Sequence, residues 1–195
     1  MTMYSSFCAI TQSLAVALLS LTALAVQASD KPALEVGLAV RDVSPELPIR
    51  LAGYASRNRP ADKADGPLLV EALALKNPSG ERFVFVSLDN CEVSRAFVKP
   101  VVQECTDKFQ LPRGAVAIIS SHTHSAPVLD ETLTDMAQPA PAEREQISKY
   151  SRMLKARLVE VVGAALNDFQ PATLESGIGR ASFAMNWSQV SPSNR

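Results

Sequence analysis

A chain of 195 residues, 47% of them hydrophobic, can bury one respectable core, so a single main domain is the expectation. Its 19 basic and 20 acidic side chains leave a formal net charge of −1. That balance removes any electrostatic ground for binding nucleic acid or an anionic membrane, and the sequence has no basic run or internal repeat to restore one.

Residues 1–28 read differently from the rest. Leu14 to Val26 is nearly all Leu, Ala and Val, and Val26-Gln27-Ala28 offers the small residues that a signal peptidase reads. The pattern is that of a secretory signal, which makes the mature protein exported, either periplasmic or secreted. An apolar run of about thirteen is short for a membrane span. Cleavage removes Cys8 and leaves Cys91 and Cys105 in an oxidising compartment. They could pair, or Cys105, which sits in a helical pattern, could be an ordinary buried thiol.

After the signal, Leu34 to Val43 alternates loosely and ends at Ser44-Pro45, a strand closed by a turn. Pro48 to Pro67 lacks any apolar period and is rich in Pro, Gly, Asp, Asn and Arg. It reads as a long loop, with Arg57, Asn58 and Arg59 as its candidate contacts for a polar or anionic group against a solvated charged loop as the plain alternative. Leu68 to Leu75 and Arg82 to Leu88 are β-like runs joined by Asn77-Pro78-Ser79-Gly80, the composition of a hairpin turn. The second run is nearly all apolar, so it should be central, and it delivers Asp89 to its C-terminal end. A carboxylate there could orient a histidine or polarise water, or else cap the helix that follows.

Ser94 to Phe109 has helical spacing at Phe97, Val101, Val102 and Cys105, with Ser94 as N-cap. Pro100 either kinks this helix or sits in its first turn. Leu111 to Gly114 then feeds a second apolar run, Ala115 to Ile119, which reads as a buried strand. Strand, helix and strand in this order form a βαβ unit, right-handed by default. Val128 to Pro141 is irregular and acidic, with Asp130 as a weak metal candidate. Glu143 to Asn167 carries an apolar helical stripe through Ile147, Tyr150, Leu154, Leu158 and Ala165, and Ala172 to Gly179 reads as one more strand. The fold class is therefore α/β, a mixed sheet with βαβ units and flanking helices.

Just past the second apolar run stand His122 and His124, the only histidines in the sequence. The C-terminal end of a strand is where open α/β sheets bind ligands. In extended geometry residues two apart are separated by roughly 6.5 to 7 Å, too far for both to ligate one ion without a bend. One could hold a metal while the other reaches what the metal binds. A metallo-β-lactamase-like His-x-His-x-Asp would need an Asp where Ala126 stands.

These residues also carry a family resemblance. Ser121-His122-Thr123-His124-Ser125-Ala126-Pro127 resembles the His-Thr-His-Ser-(Gly/Ala)-Pro signature of the neutral/alkaline, non-lysosomal ceramidases, zinc-dependent amidases that cleave the N-acyl bond of ceramide. Gly37-Leu38-Ala39-Val40-Arg41-Asp42-Val43-Ser44-Pro45 is similar to the family's opening motif, and Leu51-Ala52-Gly53-Tyr54 to its Gly-Tyr turn. Phe83 to Asp89 resembles the strand that ends in Asp, and Gly177, Gly179 and Asn186 resemble a later Gly-x-Gly and Asn-Arg segment. Val128-Leu129, Glu71 and Trp187 depart from the pattern.

The resemblance implies that residues 34–195 correspond to the N-terminal part of a larger catalytic domain. It implies zinc as cofactor with His122 as a metal ligand, and His124 at the scissile carbonyl or its oxyanion, with Asp89 beside them. A further histidine, a glutamate and a tyrosine complete the family's zinc site in later sequence, so the site would be incomplete within this chain. The implied substrate is a ceramide-like lipid amide, which allows transient contact with a membrane surface. The alternative is an exported, non-catalytic remnant that binds a lipid or a partner.

Overall fold

The structure is a computed structural model that describes residues 34–132 and 138–183. Its strands are β1 (Leu34–Asp42), β2 (Leu69–Lys76), β3 (Arg82–Leu88), β4 (Val116–Ser120) and β5 (Gln170–Ala172), and its helices are α1 (Arg95–Phe109) and α2 (Pro141–Leu166). One sheet has the order β4-β3-β2-β1-β5. All neighbours are antiparallel except β3 and β4, which run parallel because α1 returns the chain between them. A mixed sheet with flanking helices is what the apolar periods lead one to expect.

Local chemistry explains the boundaries. Asn77 closes the β2–β3 hairpin by accepting from Glu81 N–H at 2.9 Å through its side chain, and Gly80 takes the left-handed φ of 84° that the turn requires. Ser94 caps α1, its hydroxyl accepting from Phe97 N–H at 3.0 Å. The helix runs from that cap with Pro100 inside it, so Pro100 is not in its first turn. At α2, Glu143 accepts from the N–H of Ala140 at 2.7 Å, the reciprocal half of a capping box.

Strand alternation sorts the sheet into two unlike faces. One carries Val70, Ala72, Ala74, Val84, Val86 and Leu88, all buried under Phe97, Val101 and Cys105 of α1 and Leu154, Leu158, Val161 and Val162 of α2. The helices also touch each other, so both lie on this side. On the other side, register aligns Leu38, Leu73, Phe85 and Ala117 in one row, and Leu38 is 61% exposed. The cover is closest at Gly37, where the end of α2 rests directly on β1.

Two expectations are corrected. The run ending at Ile119 is an edge strand of the described sheet, with Ile119 55% exposed, because β3 takes its only described neighbour position. An apolar run does not distinguish a central strand from an edge one. Regular pairing at the far end covers only Gln170–Ala172, and residues 173–183 have no strand assignment. Pro171 lies within that short strand, tolerated because β5 is also an edge. Cys91 and Cys105 are both buried free thiols. Burial pushes the Cys105 thiol up to about 11, with Glu104 adding to it. The signal segment, residues 133–137 of the acidic stretch, Asn186 and Trp187 lie outside the described residues.

Candidate metal centre

Because β3 and β4 run parallel, their C-terminal ends reach the same edge of the sheet. Leu88 pairs with Ser120, and the ladder continues one step further through Ser121 N–H to Leu88 O at 2.9 Å. From there β3 leads into Asp89-Asn90-Cys91 and β4 into Ser121-His122-Thr123-His124. The crossover thus brings residues some thirty positions apart in sequence to one place.

His122 adopts a left-handed φ of 60°. This is the bend that an extended backbone lacks, and it folds the two rings towards each other, 5.1 Å between centroids and nearly perpendicular at 72°. The third member is Cys91. One donor atom from each of Cys91, His122 and His124 can be chosen so that all lie within 4.8 Å of one another. Zinc bonds of about 2.0 Å to nitrogen and 2.3 Å to sulfur place tetrahedral donors about 3.5 Å apart. The set is therefore open by about 1 Å relative to a closed zinc shell, and its chemistry of two imidazoles and a thiol fits zinc.

A hydrogen bond sets the tautomer. His122 Nδ1 lies 2.7 Å from the carbonyl oxygen of Cys91. A carbonyl can only accept, so Nδ1 carries the proton and the Nε2 lone pair remains for a metal, as a backbone carbonyl commonly arranges for a ligating histidine. The Cys91 thiol is held above its ordinary pKa, first by burial and then by the charge of Glu92. Without a metal it is a thiol rather than a thiolate nucleophile.

The loop of residues 48–67 supports His124 from below. Ala52 N–H bonds Ala126 O at 2.9 Å and Val128 N–H bonds Arg50 O at 2.9 Å, which lays this loop along the segment after the histidines. Gly53 has φ +96°, and a methyl group there would stand 2.6 Å from His124 Cβ and 2.7 Å from Cδ2. Only glycine admits the ring this close. Tyr54 then meets His124 edge-on at 4.7 Å. Arg57 donates through one guanidinium nitrogen to the carbonyls of Ala52 and, at 2.6 Å, of His124, while its plane sits 4.9 Å from the Tyr54 ring. Arg57 is a clamp on the histidine segment rather than a solvated charge. Arg57→Ala is expected to lower stability by about 2 kcal/mol, the scale of a charged hydrogen bond, and to weaken zinc binding. Calorimetric melting and competition with a fluorescent zinc chelator check both effects.

Asp89 is placed otherwise than a histidine-orienting carboxylate would be. It accepts from Leu69 N–H at 3.0 Å and its own N–H bonds Leu69 O at 2.9 Å, locking the start of β2 to the end of β3. It also lines a cleft of about 520 Å³ with Arg57, Lys63, Asp65, Thr123 and Ser125. The cleft borders the histidine segment through Thr123 and Ser125. Asp130 is engaged with α2, its N–H bonding Ser151 Oγ at 2.9 Å and its carboxylate accepting from Ser148 Oγ at 2.9 Å. It belongs to the packing of that loop.

Sequence reasoning passed over Cys91, weighed only as half of a disulfide. Its signal lay in the parallel register. Counting past Leu88 and Ser120, Cys91 falls opposite Thr123, between the two histidines.

No protein-family profile and no curated protein sequence matches the chain. Solved structures do. The neutral ceramidase from Pseudomonas aeruginosa superposes with a TM-score of 0.62 at 18% identity, over 73% of this chain and 23% of that one. A structure described as ceramidase complexed with C2 gives a TM-score of 0.59 at 18% identity, over 72% of this chain and 22% of its own. The chain thus matches less than a quarter of the length of either. At this identity the likeness is one of fold.

Proposed function

We propose that this chain provides the metal-binding and histidine-bearing part of a zinc-dependent amidohydrolase acting on ceramide-like N-acyl lipids. The observation that carries the reading is the bend at His122, which turns His122 and His124 to one point at the exit of the parallel strand pair. The shared fold with ceramidases and the resemblance of the Ser121–Pro127 segment support the substrate class.

In this reading His122 is a metal ligand. Bound zinc supplies Lewis acidity towards an amide carbonyl and towards water. His124 stands edge-on to His122 and donates a hydrogen bond to the carbonyl oxygen or hands a proton to the departing nitrogen. Gly53, Tyr54 and Arg57 hold that ring and its backbone in place. The adjoining cleft, with Asp89 and Thr123 on its walls, takes the polar part of the lipid, and the Asp89 carboxylate accepts from a substrate hydroxyl or from water. The remaining coordination positions of the zinc are filled by groups other than His122, and the protein works outside the cytoplasm, as the N-terminal pattern of residues 1–28 suggests.

The test offers a fluorescent N-acyl sphingosine to the zinc-loaded chain, and to a form extended by whatever coding sequence follows Arg195. Chelator-sensitive release of the fluorescent fatty acid from either form, lost in His124→Ala, supports the reading. No release from either form overturns it.

A further inference from the structure

We propose that Cys91 is itself a metal ligand beside His122, so that this protein binds its ion through sulfur where the resemblance implies only nitrogen and oxygen donors. The proposal rests on the reading of His122 as a ligand. One donor from each of Cys91, His122 and His124 falls within 4.8 Å of the others, and Cys91 Sγ packs 4.0 Å from Nδ1 of the same imidazole whose Nε2 is left for the ion. Cys91 is only 3% exposed, and its side chain lies in the small apolar cluster formed with Ala52, Val128 and Ile147. Its backbone carbonyl fixes the His122 ring, so one residue both orients the imidazole and presents a soft donor next to it.

The surroundings keep that donor where it is. Asn90, 1% exposed, bonds Pro127 O at 3.2 Å through its side-chain nitrogen and accepts from Glu92 N–H at 3.0 Å through its side-chain oxygen. These contacts fix the backbone on both sides of Cys91 and tie it to the segment that carries the histidines. Cys105, the other described cysteine, is buried beneath the sheet among Phe97 and Val101 and has no part in this. On binding, the Cys91 thiol proton leaves to solvent and a sulfur–metal bond forms, with no change of oxidation state. A thiolate and an imidazole favour zinc over magnesium or calcium, which prefer oxygen. His124, not needed as a ligand, stays free to meet what the ion holds.

Cobalt(II) replaces zinc in such sites and reports its ligands by colour. The purified full chain, reduced with a phosphine, is titrated anaerobically with cobalt(II) chloride. The expected result is a near-ultraviolet sulfur-to-cobalt charge-transfer band that saturates at one equivalent, disappears in Cys91→Ser and persists in Cys105→Ala and His124→Ala. Cobalt bound without that band, and lost in His122→Ala, overturns the role of Cys91 while leaving His122 a ligand. No cobalt bound at all overturns both. A measurement without substitutions guards against a variant that fails to fold. Zinc is expected to slow alkylation of Cys91 by iodoacetamide at least about tenfold in the unmodified protein, on the scale at which ligand shells affect metal sites. Equal rates with and without zinc overturn the proposal.

Discussion

Replacing His122 by asparagine is expected to weaken zinc binding by about 100-fold or more, since even groups that merely support a ligand are worth 10- to 100-fold, and to end any amide hydrolysis. Asparagine is the informative choice because position 122 has φ 60°. Among residues other than glycine, asparagine enters the left-handed region most readily, so the variant keeps the bend while removing the imidazole. His122→Ala removes the same donor but adds a backbone penalty of about 1 kcal/mol or more. The two variants therefore separate ligand from bend. Both should lose zinc, and only the alanine form should also melt earlier. Isothermal titration with zinc and thermal melting of the apoproteins measure the two effects. Zinc affinity unchanged in His122→Asn would remove the imidazole from the site altogether.

The largest expected loss of stability lies far from the histidines, at Gly37. A methyl group there would collide with the Ala165 carbonyl, standing 3.0 Å from its carbon and closer still to its oxygen, with Asp168 C at 3.3 Å. These are backbone atoms of the last turn of α2 and its exit, so no side-chain rotation relieves the clash. The helix must lift from β1, which strains the hydrogen bond from Leu38 N–H to Asp168 Oδ2 at 3.3 Å. Overpacking of this kind costs about 3 kcal/mol, at the upper end of the usual range because the obstacle is main chain. Urea denaturation of Gly37→Ala should show a midpoint well below that of the parent protein with an unchanged slope. Gly163→Ala is the control. Its added methyl meets Phe109 Cζ at 2.6 Å, the tip of a side chain that can move, so its loss should be smaller.

The sequence motif beginning at Gly37 thus has a physical cause, the passage of a helix end over a strand. Much else was legible for similarly local reasons. Ser94 and Glu143 announce helix starts, Asn77 and Gly80 a hairpin, and the stripe from Ile147 to Ala165 a helix laid on a sheet. Each of those signals is complete within a few residues. What could not be read depends on partners distant in the chain. The edge position of β4 is decided by which strands pair with it, and the brief β5 by its fit to the start of β1. Arg57 looked like a loop charge because the carbonyl it holds is that of His124. Cys91 looked like half of a disulfide because its histidine neighbours arrive only after the crossover through α1. The histidines drew attention to this edge of the sheet, while Cys91 joined them only in three dimensions.

The helices shelter one side of the sheet and leave Leu38, Val40, Phe85 and Ile119 turned outwards. Along β1 and β3 this sidedness makes forbearance towards polar replacement alternate residue by residue. A serine in place of Val84 or Val86 would open a void among the helices, whereas the same serine at Phe85, between them in sequence and half-exposed, would lose chiefly the ring contact with Phe83. The strands therefore carry two interleaved texts, one constrained by the interior and the other open to revision.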